Sequence, residues 1–195
     1  IHQSSATGMQ AIPSTGIAQG IRFLEFTGSK LLKKGVLNEN PVVVCSIGDA
    51  SLTEGEVSEA FQFAVLKKLP VIYLVQDNDW GISVTSKEAR VCDAYDFAAG
   101  FPGMKRVRID GSNFEESYAA MEEAIRDVRS HRGPYLVQAR VPLLGHHTSG
   151  VRKEFYRTEE DLRNHQQNDP GPRLRLRLLN AGIQEQHIQE LEKKV

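Results

Sequence analysis

Two kinds of apolar pattern follow each other along the chain, and their order predicts an architecture. Over residues 12–34 apolar side chains recur at helical spacing (Ile17, Ile21, Leu24, Leu31, Leu32), and Lys33, Lys34 and Gly35 end the stretch as a helix C-terminus would. "VVVCSI" at 42–47 is instead a continuous β-branched-rich run, the pattern of a strand buried on both faces. A helix is predicted at 55–68, then a second such strand, "VIYLVQ", at 71–76. A third strand, "KRVRI" at 105–109, precedes a helix at 114–131, and a fourth, "YLVQARV", covers 135–141. Strands alternating with helices predict an α/β fold: a doubly wound, mainly parallel sheet flanked by helices. Residues 142–171 have the weakest periodicity and read as a long surface loop. Residues 172–195 read as a helical tail split near Gly182. The whole, 1–195, is expected to be a single domain cut from a longer protein, since it opens at Ile1 and stops inside "EQHIQELEKKV".

Composition narrows the classes. With 195 residues, 40% hydrophobic and 25% charged, the chain is large enough for a real core. A net charge of −1 gives no reason to expect a nucleic-acid partner. "RLRLR" at 173–177 accordingly reads as a solvated helix face. No apolar run approaches the roughly 20 residues of a membrane span, so no membrane partner is expected. The two cysteines, Cys45 and Cys92, make no disulfide framework, and no basic-then-apolar leader opens the chain. A cytoplasmic location is the expectation.

The candidate chemistry sits at strand ends. Ligands of open parallel sheets bind beyond the carboxyl ends of the strands. The first strand ends in Gly48-Asp49 and the second in Asp77-Asn78. Neighbouring strands would bring Asp49 and Asn78 into one crevice, with the helix opened by residues 51–58 pointing free N–H groups at it. Mg²⁺ takes oxygen ligands, usually one or two carboxylates completed by phosphate and water. Asp49 offers a carboxylate, Asn78 an amide oxygen and the turn beyond it a backbone carbonyl. A cation between the acids and a phosphate makes their common site reasonable. The bland alternative stays open: Ser51-x-x-Glu54 and Thr53-x-x-Glu56 both fit a capping box, and Asn78 is a good turn residue.

The stretch "GDASLTEGEVSEAFQFAVLKKLPVIYLVQDNDWGIS" resembles the thiamine diphosphate motif that opens with Gly-Asp-Gly and closes with Asn-Asn. It is most similar to the form found in the alpha subunit of 2-oxo acid dehydrogenases, their decarboxylating component. "HQSSATGMQAIP", "RIDGSNFEESY", "GHHTSG", "FYRTEEDL" and "DPGPRLRLRLLNAG" extend the likeness over nearly the whole chain, and the branched-chain type looks closest.

The resemblance implies thiamine diphosphate and Mg as cofactors, with Asp49, Asn78 and the carbonyl of Trp80 on the metal. As a carbonyl ligand, Trp80 would hardly use its indole. Gly48, Ala50 and Ser51 would lie along the diphosphate, His147 would reach it from the loop, and Gly8 and Ile82 would complete the cofactor contacts. The implied activity is oxidative decarboxylation of a 2-oxo acid, with acyl transfer to a lipoyl-bearing acyltransferase. The glutamate that activates the aminopyrimidine would come from a beta subunit or fused second half, so no catalytic residue is assigned here. A dimer or alpha2beta2-like assembly would follow. The chain departs from the pattern at Ala50 and Asp77. Extra residues after Arg140 stop any transfer of the family's arginine, and Gly150-Val151 replaces an acidic pair, so phosphorylation of Thr148 or Ser149 is not carried over. The competing classes are another thiamine enzyme of the transketolase kind, which should lack the "GHHTSG" loop, and a non-catalytic assembly domain.

Overall fold

The computed structural model describes residues 6–33 and 40–194. Among these the strands β1 (Val43–Gly48), β2 (Val71–Asp77), β5 (Lys105–Asp110) and β6 (Tyr135–Arg140) form one sheet in the order β1-β2-β6-β5. Every pairing in it is parallel. A short antiparallel hairpin, β3 (Trp80–Gly81) with β4 (Val84–Thr85), stands beyond the end of β2.

Both faces of the sheet are covered at its central strands, β2 and β6, as their continuous apolar runs predict. Helices α1 (Ala11–Phe26), α3 (Gly55–Lys67) and α5 (Ala94–Ala98) lie on one face. There Phe61 packs 4.5 Å from the Tyr73 ring and 5.5 Å from Phe101, ring centre to ring centre. Tyr73 satisfies its buried hydroxyl by pairing with Thr15 Oγ1 at 2.6 Å. Helix α6 (Phe114–His131) covers the other face, where Ile72, Ile109, Val128 and Val137 are buried together. Cys45, inside β1, is buried, and burial pushes its thiol pKa up.

Three expectations need correction. The helix expected over 12–34 stops at Phe26 and restarts as α2 (Lys30–Lys33). Gly28 adopts a left-handed φ of 62°, and Ser29 N–H returns to the Leu24 carbonyl, which ends a helix. Lys34 and Gly35 lie outside the described residues. The buried stripe of α1 is also different: Ala11, Thr15, Ala18 and Ile21 face inward while Ile17 is exposed. Small side chains at Ala11, Thr15 and Ala18 let α1 approach β1 and α3 closely, with Ile21 the one large residue of the stripe.

The second correction concerns 142–171, which is not all loop. After a 3₁₀ turn (Lys153–Phe155), α7 occupies Glu159–Gln167. Thr158 caps it by accepting the Asp161 N–H at 3.2 Å, and Glu159, Glu160 and Asp161 occupy its first turn. Cap chemistry makes this helix; apolar periodicity does not. The third concerns β1: at the sheet edge its burial alternates, Cys45 and Ile47 inside and Val44 and Ser46 exposed, so the two-sided burial expected of 42–47 is not met. "RLRLR" lies in α8 (Pro170–Asn180), followed by α9 (Glu185–Glu192); it is a solvated helix face as expected, and its arginines are also paired. Arg173 meets Asp110 at 3.0 Å and Arg177 meets Glu115 at 2.8 Å, tying α8 to β5 and α6.

Candidate functional site

A parallel sheet sends all its carboxyl ends to one edge. Here β1 and β2 are direct neighbours, so Asp49 and Asn78 leave the sheet side by side. The Asn78 N–H donates to Asp49 Oδ1 at 3.4 Å. Asn78 Oδ1 accepts the Trp80 N–H at 3.0 Å, an Asx turn that bends the chain into the β3–β4 hairpin.

Two glycines permit close approaches around this pair. A Cβ on Gly81 would stand 3.0 Å from the Ala50 Cβ, so the hairpin lies directly on the 3₁₀ turn Asp49–Thr53. Gly8, at φ 75°, would place a Cβ 3.1 Å from the Glu54 side chain, and thus lies over the start of α3. Asp49, Asn78 and Trp80 are in this way brought together, with Ala50 under the hairpin and Gly8 over the start of α3, and Asp49 and Ser51 are buried. Ile82 follows at the hairpin tip, 43% exposed, with a left-handed φ of 60° that a β-branched residue seldom adopts. His147 is not brought in: it is exposed on its loop and makes no hydrogen bond among the described residues.

The capping-box alternative fails. Glu54 is the N-cap residue of α3, and no side chain caps that helix. Thr53 Oγ1 instead donates to the Ala50 carbonyl at 3.0 Å.

Charge is concentrated at these strand ends. Asp49 and Asp77 are both buried, and one guanidinium serves both. Arg90 Nη2 is 2.7 Å from Asp49 Oδ2 and 3.6 Å from Asp77 Oδ1. The other oxygen of Asp77 accepts from Gln138 Nε2, and Gln138 Oε1 accepts the Tyr95 N–H at 2.8 Å. Burial pushes the Asp49 carboxyl up to about 6; Arg90 opposes the rise and Asp77 adds to it. Two buried acids sharing one cation leave residual negative charge beside oxygen donors. That combination fits a hard divalent cation. Among the described residues no cluster of three or more His, Cys, Asp or Glu could hold a metal, so a cation here would need the amide, a backbone carbonyl and oxygens of a ligand.

A cavity of about 1010 Å³ adjoins the pair over the ends of β2, β6 and β5. Asp77, Asn78, Arg90, Arg108, Arg140 and His165 are on its walls. Neither Asp49 nor His147 lines it, so Arg90 stands between the Asp49 carboxylate and this space.

Pattern reading missed Arg90 and Arg157. Arg90 follows α4 (Ser86–Ala89) in a segment without periodicity, and nothing but its charge marks it. Arg157 belongs to "FYRTEEDL", where only its place before the helix-capping Thr158 is a signal. Its guanidinium lies 5.4 Å from the Trp80 ring centre, donates from Nη1 to the Leu143 carbonyl at 3.0 Å and pairs with Asp161. The Tyr156 ring lies 5.6 Å from Trp80. The Trp80 indole is therefore packed against Arg157 and Tyr156. His146 holds its loop from within, accepting the Lys153 N–H at 3.4 Å.

Residues 2–195 match the family described as Dehydrogenase E1 component. The chain belongs to that family. A 3-methyl-2-oxobutanoate dehydrogenase subunit alpha from Mycobacterium tuberculosis is 35% identical over 79% of this chain and 42% of its own length. A pyruvate dehydrogenase E1 component subunit alpha from Mycoplasma pneumoniae is 33% identical over 79% of this chain and 44% of its own. This family member thus spans less than half the length of these relatives. The resemblance read from the motif is borne out, and the relatives include the branched-chain type. A transketolase from Campylobacter jejuni superposes with a TM-score of 0.60 over 85% of this chain and 26% of its own, at 21% identity. That likeness is one of fold, and it agrees with the parallel sheet flanked by helices. No helix among the described residues is long and apolar enough to cross a membrane.

Proposed function

We propose that the crevice at Asp49 and Asn78 is the diphosphate- and Mg²⁺-binding half of a thiamine diphosphate site. The full-length protein would then be the decarboxylating component of a 2-oxo acid dehydrogenase. One observation carries the reading: in a chain of this family, the Asn78 N–H meets the Asp49 carboxylate across two neighbouring parallel strand ends. Asp49, Asn78 and the Trp80 carbonyl hold the metal. Gly48, Ala50 and Ser51, in and after the end of β1, lie along the diphosphate. His147 donates to the diphosphate when its loop closes, and Gly8 and Ile82 contact the organic part. Thiamine diphosphate supplies the electron sink that lets a 2-oxo acid lose carbon dioxide.

The relatives are named for 3-methyl-2-oxobutanoate and for pyruvate, which share the 2-oxo acid group. The substrate class is therefore a 2-oxo acid, branched-chain by the likeness of the His146-His147 loop. A beta subunit or fused second half completes the site, a lipoyl-bearing acyltransferase receives the acyl group, and the assembly works in the cytoplasm. The test is titration calorimetry of the full-length protein with thiamine diphosphate and Mg²⁺. Asp49→Asn should weaken binding by at least about 10-fold, the lower end of what losing a mere supporting residue costs. Unchanged affinity would sink the assignment. Turnover of a panel of 2-oxo acids then identifies the substrate.

A further inference from the structure

Arg90 lies outside the ligand set assigned above, yet it makes the closest charged contact to Asp49 among the described residues. Its side chain is only 6% exposed, and Nη1 is buried without a hydrogen-bond partner among the described residues. A guanidinium is put there at a cost in solvation, so its placement requires a reason.

The segment that delivers it is built for the purpose. Ser86 N–H bonds the Asp79 carbonyl at 3.0 Å, closing the hairpin that carries Trp80. Glu88 accepts from the Thr85 N–H at 2.9 Å and from its hydroxyl at 2.7 Å, completing a capping box at the start of α4. Arg90 N–H then bonds the Ser86 carbonyl at 2.9 Å. Residues 78–90 are thus one folded unit, with Asn78 and Trp80 at one end and Arg90 at the other. The unit returns to β1 through the Arg90–Asp49 contact.

We propose that Arg90 is a positioning residue for the metal site, an inference that rests on the reading of Asp49 as a ligand. Arg90 takes Oδ2 of Asp49 and removes the carboxylate's freedom to rotate, while Oδ1 stays toward Asn78. Its second contact, to Asp77, neutralises the acid that would otherwise repel Asp49 across the strand ends. Ligating carboxylates held in this way bind metal more tightly than free ones. The opposite possibility is a plug, a guanidinium that occupies the cation's place and must leave when metal enters. The two differ in sign.

Mn²⁺ serves as the probe, followed by electron paramagnetic resonance during titration of the full-length protein with thiamine diphosphate present. Arg90→Met should weaken Mn²⁺ binding by about 10- to 100-fold. Arg90→Lys should recover part of the loss, since an ammonium keeps the charge but lacks the planar fork. In an Asp49→Asn background, Arg90→Met should add no further loss, because the residue acts through Asp49. Unchanged or tighter binding by Arg90→Met would overturn the proposal, as would an equal loss with and without Asp49. If Arg90→Met does not fold, Arg90→Lys decides: weaker binding supports the role and unchanged binding overturns it. Wild-type affinity in Asp49→Asn alone would overturn the ligand reading and this proposal with it; loss there without loss in Arg90→Met would overturn this proposal only.

Discussion

The Arg157 guanidinium stacks over the Trp80 indole at 5.4 Å and so joins the turn after β2 to the segment that carries His147. The same side chain is wholly buried, bonds the Leu143 carbonyl at the base of that segment and pairs with Asp161. One residue therefore fastens both ends of 143–157 to the strand-end turn.

Arg157→Ala should destabilise the protein by roughly 3 kcal/mol, the low end for breaking a buried pair, because Asp161 keeps access to water. Urea unfolding measures the loss. Amide exchange should rise over 142–158 with little change in β1 and β2. A loss below about 1 kcal/mol would mean that the stack and the pair contribute no more than surface contacts.

The two adjacent histidines should behave differently. His146 is occupied within its loop, accepting the Lys153 N–H at Nδ1, whereas His147 is exposed and unbonded among the described residues. A charge-assisted bond to a diphosphate contributes roughly 1.5–3 kcal/mol, or about 10- to 150-fold in affinity. His147→Ala should weaken thiamine diphosphate binding by that order and His146→Ala by much less. Parallel titrations at one pH and one Mg²⁺ concentration compare them, and equal effects would remove the distinction.

Ile82 holds a left-handed backbone that costs a β-branched residue roughly 1–2 kcal/mol. Ile82→Gly relieves that strain but adds freedom to the unfolded chain, costing about 0.5–1 kcal/mol. Stability should rise by up to about 1.5 kcal/mol while cofactor affinity falls. A variant less stable than wild type, with unchanged affinity, would show that the conformation serves packing and not the ligand.

His165 accepts the Leu143 N–H at Nδ1, 2.8 Å away, and only the neutral ring can do so. Burial, with Arg157 next in importance, holds its pKa below the ordinary histidine value, against the pull of Asp161. Between that ordinary value, about 6.5, and the lower folded one, the unfolded chain binds a proton that the folded chain refuses. Its contribution to stability is therefore present above about pH 6.5 and is lost as pH falls through the folded pKa. Denaturation midpoints at pH 7.5 and 5.5 should fall more in wild type than in His165→Asn. Equal falls would exclude this histidine as the cause.

Much of the scaffold was legible from local chemistry. The run at 71–76 is apolar through Val75 because a strand covered on both faces has no polar side, and the structure covers β2 on both; β1, at the sheet edge, is covered on one face only, with Val44 and Ser46 exposed. Their adjacency was only a condition in the sequence, and the pairing of β1 with β2 meets it. Polar α7 escaped because its signal is a Thr158 cap and three acids, not a stripe of apolar residues.

By itself the sequence determined which elements form and which residue types stand at the strand ends, since periodicity and turn chemistry act over a few neighbouring residues. The tertiary structure alone decided what those residues touch. Arg90 reaches Asp49 across 41 positions, and Gly81 rests against Ala50 because the hairpin folds back. Arg157 reaches Trp80 only after α7 has capped and the loop has closed. A buried charge selects its partner by distance in a medium that screens poorly, and no local pattern encodes that distance.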